Sequence, residues 1–349
     1  MQAQKRDYAL DLLKVICTVI IVLHHYESAF ATGFSGVNFG DGYFHFGFAV
    51  EMFFIISGYF SYSSIRKIQD GLSFDKYFSA RVLRLLPVPA LSTAIFALLN
   101  LMIWRGADFS VWKVFVTMFG VMSGGPFDEN FINSHLWYLS VLLICYAVFF
   151  IAVRLSQRLR INWRYACFAV IMIGVSAFSY TLDLPFLNTR VATGYMAFFT
   201  GLMLASLLHD HELKPPAVIF SLAVTVVFTL LIIFKYEWLE YGDIYLLIFV
   251  YFPAIFILFR SLPMQKLTDH RIIGILGQIS FNVYIWHLEI NTFMSVFNDK
   301  LGLGINFHSR WTEAAIVLLD LAVGTLSFFL IERPISGLIN RRLLKKEAV

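Results

Sequence analysis

Ionisable residues inside apolar segments are the first place to look for chemistry in this sequence. The segment YALDLLKVICTVIIVLHHYESAF carries Asp11, Lys14, His24, His25 and Glu27. Lys14 and His25 are eleven residues apart. On a helix they differ by roughly 20° and about 16 Å of rise, so they share a face. Asp11, Thr18 and Ser28 fall near the same stripe, and His24 is expected to point elsewhere. The next apolar segment, HFGFAVEMFFIISGYF, adds Glu51. A charged group in hydrocarbon is costly and tends to be functional. Histidine titrates near neutral pH, and a carboxylate beside it fixes its tautomer and stabilises its protonated form. A His25–Glu51 pair suits a general base. Structural readings stay open beside this one. Lys14 can snorkel to the near surface, the histidines can sit at the far interface, and the pair can simply join two helices.

A second group is basic. Arg81 and Arg84 lie one helical turn apart, with Arg66, Lys67 and Lys76 just ahead of them. The planar guanidinium fork suits phosphate. Ordinary anchoring of a membrane loop explains the same charges. Further along, His135, Trp137, Asn282 and His287 are polar or amphipathic groups close to or within apolar runs. The histidines and Trp137 also fit an interfacial belt. The HDHE run at 209–212 has a His-x-His spacing but lies in a short polar loop, and no metal site is expected.

These residues need a scaffold, and composition says which kind. Of 349 residues, 59% are hydrophobic and 14% charged, with a mean hydropathy of +0.72. Soluble domains carry about 25% charged residues and about 45–50% apolar ones. Lipid is the natural solvent for such a chain. The net charge of +4 reflects short basic loops and carries no nucleic-acid signal. Cys17, Cys145 and Cys167 are an odd, scattered set in apolar runs, which argues against disulfides or zinc.

A span needs about 20 apolar residues. Ten are expected, near 8–30, 44–64, 83–104, 135–153, 165–181, 191–208, 216–234, 244–259, 272–293 and 311–332. The first is read as a span rather than a cleavable signal. The run 111–122 is too short and carries Lys113, so an interfacial or re-entrant helix is expected there. With both termini inside, the inner segments hold twenty Lys and Arg and the outer ones six, with Lys14 within a span. That asymmetry obeys the positive-inside rule. The expected fold is an all-α integral membrane bundle forming a single transmembrane domain over 1–349, with no separate soluble domain.

These residues resemble the acyltransferase family 3 membrane proteins. The family has an arginine or lysine, ten residues, then a histidine in its first span; here that is Lys14-x10-His25. It has an acidic residue before FF-x-x-SG-(Y/F); here Glu51 opens EMFFIISGY. Its R-x-x-R-x-x-P is matched by Arg81, Arg84 and Pro87, although Ala80 stands where many members have another arginine. HLWYL at 135–139, ISFNVYIWH ending at His287, and IERP at 331–334 resemble further family segments.

The resemblance implies a membrane O-acyltransferase. An acyl group, acetyl by default, would move from cytoplasmic acyl-CoA to a hydroxyl of a cell-envelope glycan or lipid-linked sugar. No bound cofactor is implied; acetyl-CoA or another acyl-CoA is a co-substrate. His25, Glu51 and Lys14 would be catalytic, and Arg81 and Arg84 would bind the donor. His135, Trp137, Asn282 and His287 would serve the acceptor or the oxyanion. A bacterial inner membrane, with cytoplasmic termini, is the implied location. The rival readings are a transporter or flippase for a lipid-linked glycan or polysaccharide, and a non-catalytic subunit of a glycan synthase or export system. Transporter folds often show inverted repeats with broken spans at matching positions, and the sequence has none.

Overall fold

The structure is a computed structural model that describes residues 6–32, 38–40, 44–103, 110–123, 133–234 and 243–338. Lys5, Arg105, Lys235, Arg341, Arg342, Lys345 and Lys346 of the charge count lie outside the described residues. Helices account for the ordered elements, and no strand occurs among the described residues. In chain order they are α1 (Tyr8–Phe30), α2 (Ala49–Ser61), α3 (Ile65–Gln69), α4 (Phe74–Leu85), α5 (Pro87–Ile103), α6 (Val111–Met118) and α7 (Trp137–Arg158). They continue as α8 (Trp163–Ser179), α9 (Thr189–Asp210), α10 (Pro215–Ile233), α11 (Ile244–Leu246), α12 (Phe252–Arg260), α13 (Leu262–Leu267), α14 (Arg271–Leu301) and α15 (Arg310–Ser327).

Local chemistry explains the boundaries. Asp7 caps α1 by accepting from the Leu10 amide at 3.1 Å, which satisfies one of the orphan donors of a first turn. Gly302, with φ of 61°, closes the 31-residue α14 in the left-handed conformation that glycine adopts without a Cβ penalty. Pro87 cannot continue the hydrogen-bond ladder of α4, because it has no amide hydrogen. The chain bends by 46° there between α4 and α5.

Among the described residues, six helices are long and apolar enough to cross a membrane, and a seventh is added if bent α4 and α5 make one span. This is fewer than the ten expected. All ten expected segments are helical, but Trp163–Ser179 and Ile244–Arg260 are short, and α14 is diluted by polar residues. The bend also divides the expected third span, 83–104: its first residues, with Arg84, belong to α4 beside Arg81, ahead of the apolar α5. The run 111–122 holds the eight-residue α6, with Trp112, Phe115 and the following Phe119 exposed.

The contacts divide the chain into two compact units, one of residues 1–62 with 197–321, the other of 63–196 with 322–349. In the first, α1 and α14 lie side by side in the same direction. Tyr8 and Asp11 meet Gly274 and Gly277 at one end, and His25 meets His287 at the other. The expected topology runs these two spans the same way. In the same unit α2 and the end of α9 cross at backbone contact. A Cβ on Gly58 would stand 1.8 Å from the Phe198 carbonyl oxygen, and one on Gly201 would stand 2.0 Å from that of Ile55. Small residues at helix crossings allow this approach in membranes. In the second unit α7 packs against α3, α4 and α8, and Tyr77 of α4 is buried against Phe149 and Phe150.

Neither crossing glycine tolerates a side chain. Gly58→Ala and Gly201→Ala should each destabilise detergent-solubilised protein by about 1–3 kcal/mol, the usual overpacking cost. Gly337→Ala, whose Cβ would meet nothing within 4 Å, is the control. Equal melting temperatures for all three would show that the crossing is looser than described.

Candidate functional site

The first unit holds a row of histidine rings. His45 and His24 have ring centres 4.7 Å apart, His24 and His25 are 5.1 Å apart, and His25 and His287 are 5.1 Å apart. The row runs from exposed His45 through buried His24 and half-buried His25 to His287, which is fully buried. Adjacent positions on α1 supply His24 and His25, the segment before α2 supplies His45, and α14 supplies His287.

Main-chain carbonyls orient two of the rings. His24 Nδ1 lies 2.6 Å from the Phe39 oxygen, and His287 Nδ1 lies 2.6 Å from the Tyr284 oxygen. A carbonyl oxygen accepts and never donates, so both Nδ1 atoms carry hydrogen. In the neutral rings the lone pair is therefore on Nε2. Gly47 has the His45 and His24 rings against it. A Cβ there would fall 3.0 Å from His45 Nδ1 and 3.1 Å from His24 Nε2.

The Phe39 carbonyl is itself held in place. Glu27 is buried to 1% exposure and accepts from the Phe39 amide and, at 2.9 Å, from the Gly40 amide. Its other oxygen accepts from Arg310 at 3.1 Å, and Arg310 also reaches Glu313 at 2.9 Å. The Tyr26 hydroxyl donates to the Phe307 carbonyl at 2.8 Å. A buried carboxylate with two amides and a guanidinium is a satisfied one. This network fastens the end of α1 to the start of α15 and fixes the segment that orients His24.

Lys14 belongs to the opposite end of α1. It donates to Asp11 at 3.1 Å, Arg6 donates to the same carboxylate at 2.5 Å, and Arg260 pairs with Asp7. Its ammonium also lies 5.4 Å from the Phe60 ring centre. The polar stripe is thus two groups on one helix, an ionic cluster at one end and imidazoles at the other. A cavity of about 20 Å³ beside Thr18, with Val15, Val22 and Val283 among its lining, lies between them. Glu51 is buried on α2, which packs against α1. Asn282 is fully buried on α14, five residues before His287.

The remaining expected site residues fall in the second unit. Arg81 is ordered by its surroundings: it donates to Ser64 Oγ at 3.0 Å and lies over the Tyr77 ring at 3.9 Å and the Tyr146 ring at 5.6 Å. Arg84 is exposed in the last turn of α4. Tyr146, Phe150, Arg154 and Arg158 recur every four residues and so share one face of α7. An open groove of about 810 Å³ is lined by Ser73, Phe74, Phe150, Arg154 and Arg158 among others. His135 is buried in the turn that leads into α7, and Trp137 begins that helix with Arg190 5.7 Å over its ring. The adjoining Asn133 donates to Ser92 and Thr93 at 3.2 and 3.3 Å.

A family model described as an acyltransferase domain, Acyl_transf_3, matches residues 7–333. The chain belongs to acyltransferase family 3. No curated protein and no solved structure matches it. This membrane acyltransferase brings His25 and His287 together as neighbours. It keeps Lys14 at the other end of α1. The His24 ring meets the Phe39 carbonyl and the His45 ring, and it also neighbours that of His25. His45, Arg310 and Glu313 were not singled out from sequence, and Glu27 was noted without a role. The histidine pair HH and the histidine six residues before Glu51 were the visible signals for the first of these. Arg310 gave none, being a loop-edge arginine like any other.

Removing Glu27 leaves two amides without their acceptor and Arg310 with Glu313 alone. Leaving a buried donor unsatisfied costs about 1–3 kcal/mol, and the half-exposed Arg310 adds less. Glu27→Leu should therefore lower the melting temperature well below that of Glu27→Gln, which keeps one acceptor oxygen. Indistinguishable melts would mean that the network carries little of the fold.

Proposed function

We propose that this acyltransferase moves an acyl group, acetyl in the simplest case, from cytoplasmic acyl-CoA to a hydroxyl of a cell-envelope glycan or lipid-linked sugar. The observation that carries the reading is His25: a half-buried imidazole in a membrane helix, packed against a fully buried second histidine. The loop charges favour both termini cytoplasmic, and the family resemblance implies a bacterial inner membrane.

The chemistry balances without any cofactor. His25 takes the proton of the acceptor hydroxyl as its oxygen attacks the thioester carbon. The C–O bond forms and the carbonyl electrons move onto oxygen. Collapse of this tetrahedral species breaks the C–S bond, and the proton passes from His25 to the departing sulfur. Asn282, buried on the helix that carries His287, is a candidate donor to the oxyanion. Glu51 supplies a buried negative charge on α2 that offsets the imidazolium. Lys14, about 16 Å along α1, is too far to touch atoms reacting at His25 and acts along the path of the donor.

In the second unit, Arg81 is the phosphate-binding group. Arg154 and Arg158 extend its basic face along α7, and Phe74 and Phe150 give the adjoining groove an aromatic wall for a nucleotide base. Arg84 adds charge at the exposed edge. His135 and Trp137 are assigned to acceptor binding.

Purified protein in lipid nanodiscs, given acyl-CoA and a glycan acceptor, should form acyl ester detectable by mass spectrometry. His25→Ala should lower kcat by about 10²–10⁴-fold, the usual range for positioned base catalysis. Full turnover by His25→Ala would remove the base assignment. Arg81→Ala should raise KM for acyl-CoA far more than KM for the acceptor. Equal rises would instead indicate damaged folding, and no turnover by the unaltered protein would favour the transport reading.

A further inference from the structure

Beyond His287, helix α14 carries a polar stripe. His287, Asn291, Ser295 and Asn298 lie within about 80° of one another around the helix and climb about 17 Å along it. The first two are buried and the last two half-buried, with Asp299 and Lys300 exposed beyond them. The stripe therefore runs from the buried imidazole to the exposed end of the helix. Leu288, Ile290, Phe293, Met294 and Val296 make up most of the other faces. The Thr292 hydroxyl donates to its own helix, to the Leu288 carbonyl at 2.8 Å. Asn298 Oδ1 accepts from the Ile305 amide at 2.7 Å. Glu289 lies about 200° from His287, on the opposite face.

Asn291 has no such engagement. It is 2% exposed, and neither its Oδ1 nor its Nδ2 has a hydrogen-bond partner among the described residues. Buried polar atoms are nearly always bonded, and one left without a partner is destabilising. A carboxyl in such a place can take up a proton, whereas a carboxamide has no second protonation state to adopt. Residues four apart are neighbours on a helix surface, with about 5–6 Å between their Cβ atoms. Asn291 thus stands beside His287, whose ring centre is 5.1 Å from that of His25.

We propose that Asn291 binds the acceptor by two adjacent hydroxyls of a sugar. Oδ1 accepts from one hydroxyl, and Nδ2 donates to the oxygen of its neighbour. The proposal rests on the reading of His25 as the base for acyl transfer to a hydroxyl. The oxygen and nitrogen of a carboxamide lie side by side, so a ligand that satisfies both presents a donor and an acceptor side by side. A hydroxyl serves as either, and neighbouring hydroxyls of a sugar ring form the pair. A lone hydroxyl leaves one amide atom unbonded. The polar stripe gives the sugar its way in, from Ser295 inward to the imidazoles.

Two measurements on Asn291→Leu, a change of similar shape, test this. Without saccharide, the variant should melt at the temperature of the unaltered protein or above it, because the change removes a buried amide with no partner. A lower melting temperature would show that the amide is bonded within the protein, and would overturn the proposal. The second measurement is acyl transfer to methyl glucoside, methyl galactoside and methyl mannoside, and to the monodeoxy analogues of each. For the best of these acceptors, Asn291→Leu should raise KM about tenfold or more, while KM for acyl-CoA stays within about twofold. In the unaltered protein, removing either hydroxyl of one adjacent pair should raise KM by a similar factor. In Asn291→Leu the same removals should change little. Equal sensitivity of the two proteins to the missing hydroxyls, or a KM for acyl-CoA that rises with that for the acceptor, would overturn the proposal. Full turnover by His25→Ala is a separate failure, seen in kcat, and it removes the base. No transfer to any of the glycosides by the unaltered protein would remove the acyl-transfer reading and this proposal with it.

Discussion

The packing of α1 against α14 is the constraint on which the rest of the first unit depends. Two helices of unequal polarity run in the same direction, and two glycines let them approach. Gly274 sits beneath Tyr8, and Gly277 sits beneath Asp11, where a Cβ would fall 2.5 Å from the Asp11 Cβ. That approach is set by shape and not by charge, since lipid tails give apolar helices no hydrophobic reason to associate. Once the near ends are in register, thirteen residues of α14 and seventeen of α1 bring His287 beside His25. A bulkier residue at 277 would move the imidazoles apart without touching either of them.

Polar groups in this interior follow one economy. Each that is shown with its partners meets a main-chain group or an opposite charge: Glu27 meets two amides and Arg310, Asp11 meets Arg6 and Lys14, and His24 and His287 each meet a carbonyl. A low dielectric makes such bonds strong and makes their loss expensive. It also fixes which nitrogen carries hydrogen. Tautomers are thereby decided by backbone geometry, which changes slowly when side chains are replaced.

Much of this was legible in the residues. The apolar runs and the basic loops identified a helical membrane protein, and the lysine-to-histidine stripe drew attention to its first span. Helical phase placed Lys14 and His25 on one face correctly, but it said nothing of what that face meets along its length. Asp11 captures Lys14 three residues away, so the stripe separates into two groups. The bend at Pro87 was readable as a helix break, yet the apolar run through it suggested one straight span. Least visible were contacts between distant segments. Phase said nothing of what His24 meets: its ring nitrogen is held by the carbonyl of Phe39, fifteen residues on. Arg310 reaches Glu27 across more than 280 positions. No local pattern records such pairs, because neither partner's neighbours differ from those of an ordinary loop arginine or helix-end glutamate. Length separates the expected spans into two kinds: α8 and the α11–α12 stretch are apolar but shorter than the six long helices among the described residues.

The meeting of α2 with the end of α9 has a consequence for motion. Gly58 lies under the Phe198 carbonyl and Gly201 over that of Ile55, so the two helices touch by main chain, with no side chains between them. Side chains can change rotamer and let helices slide; backbones in contact cannot. Glu51 lies two turns before Gly58 on the same helix. Any rearrangement that admits a substrate must therefore carry α2, Glu51 and residues 197–210 as a single block, and the hinge has to be sought in the segments that flank it.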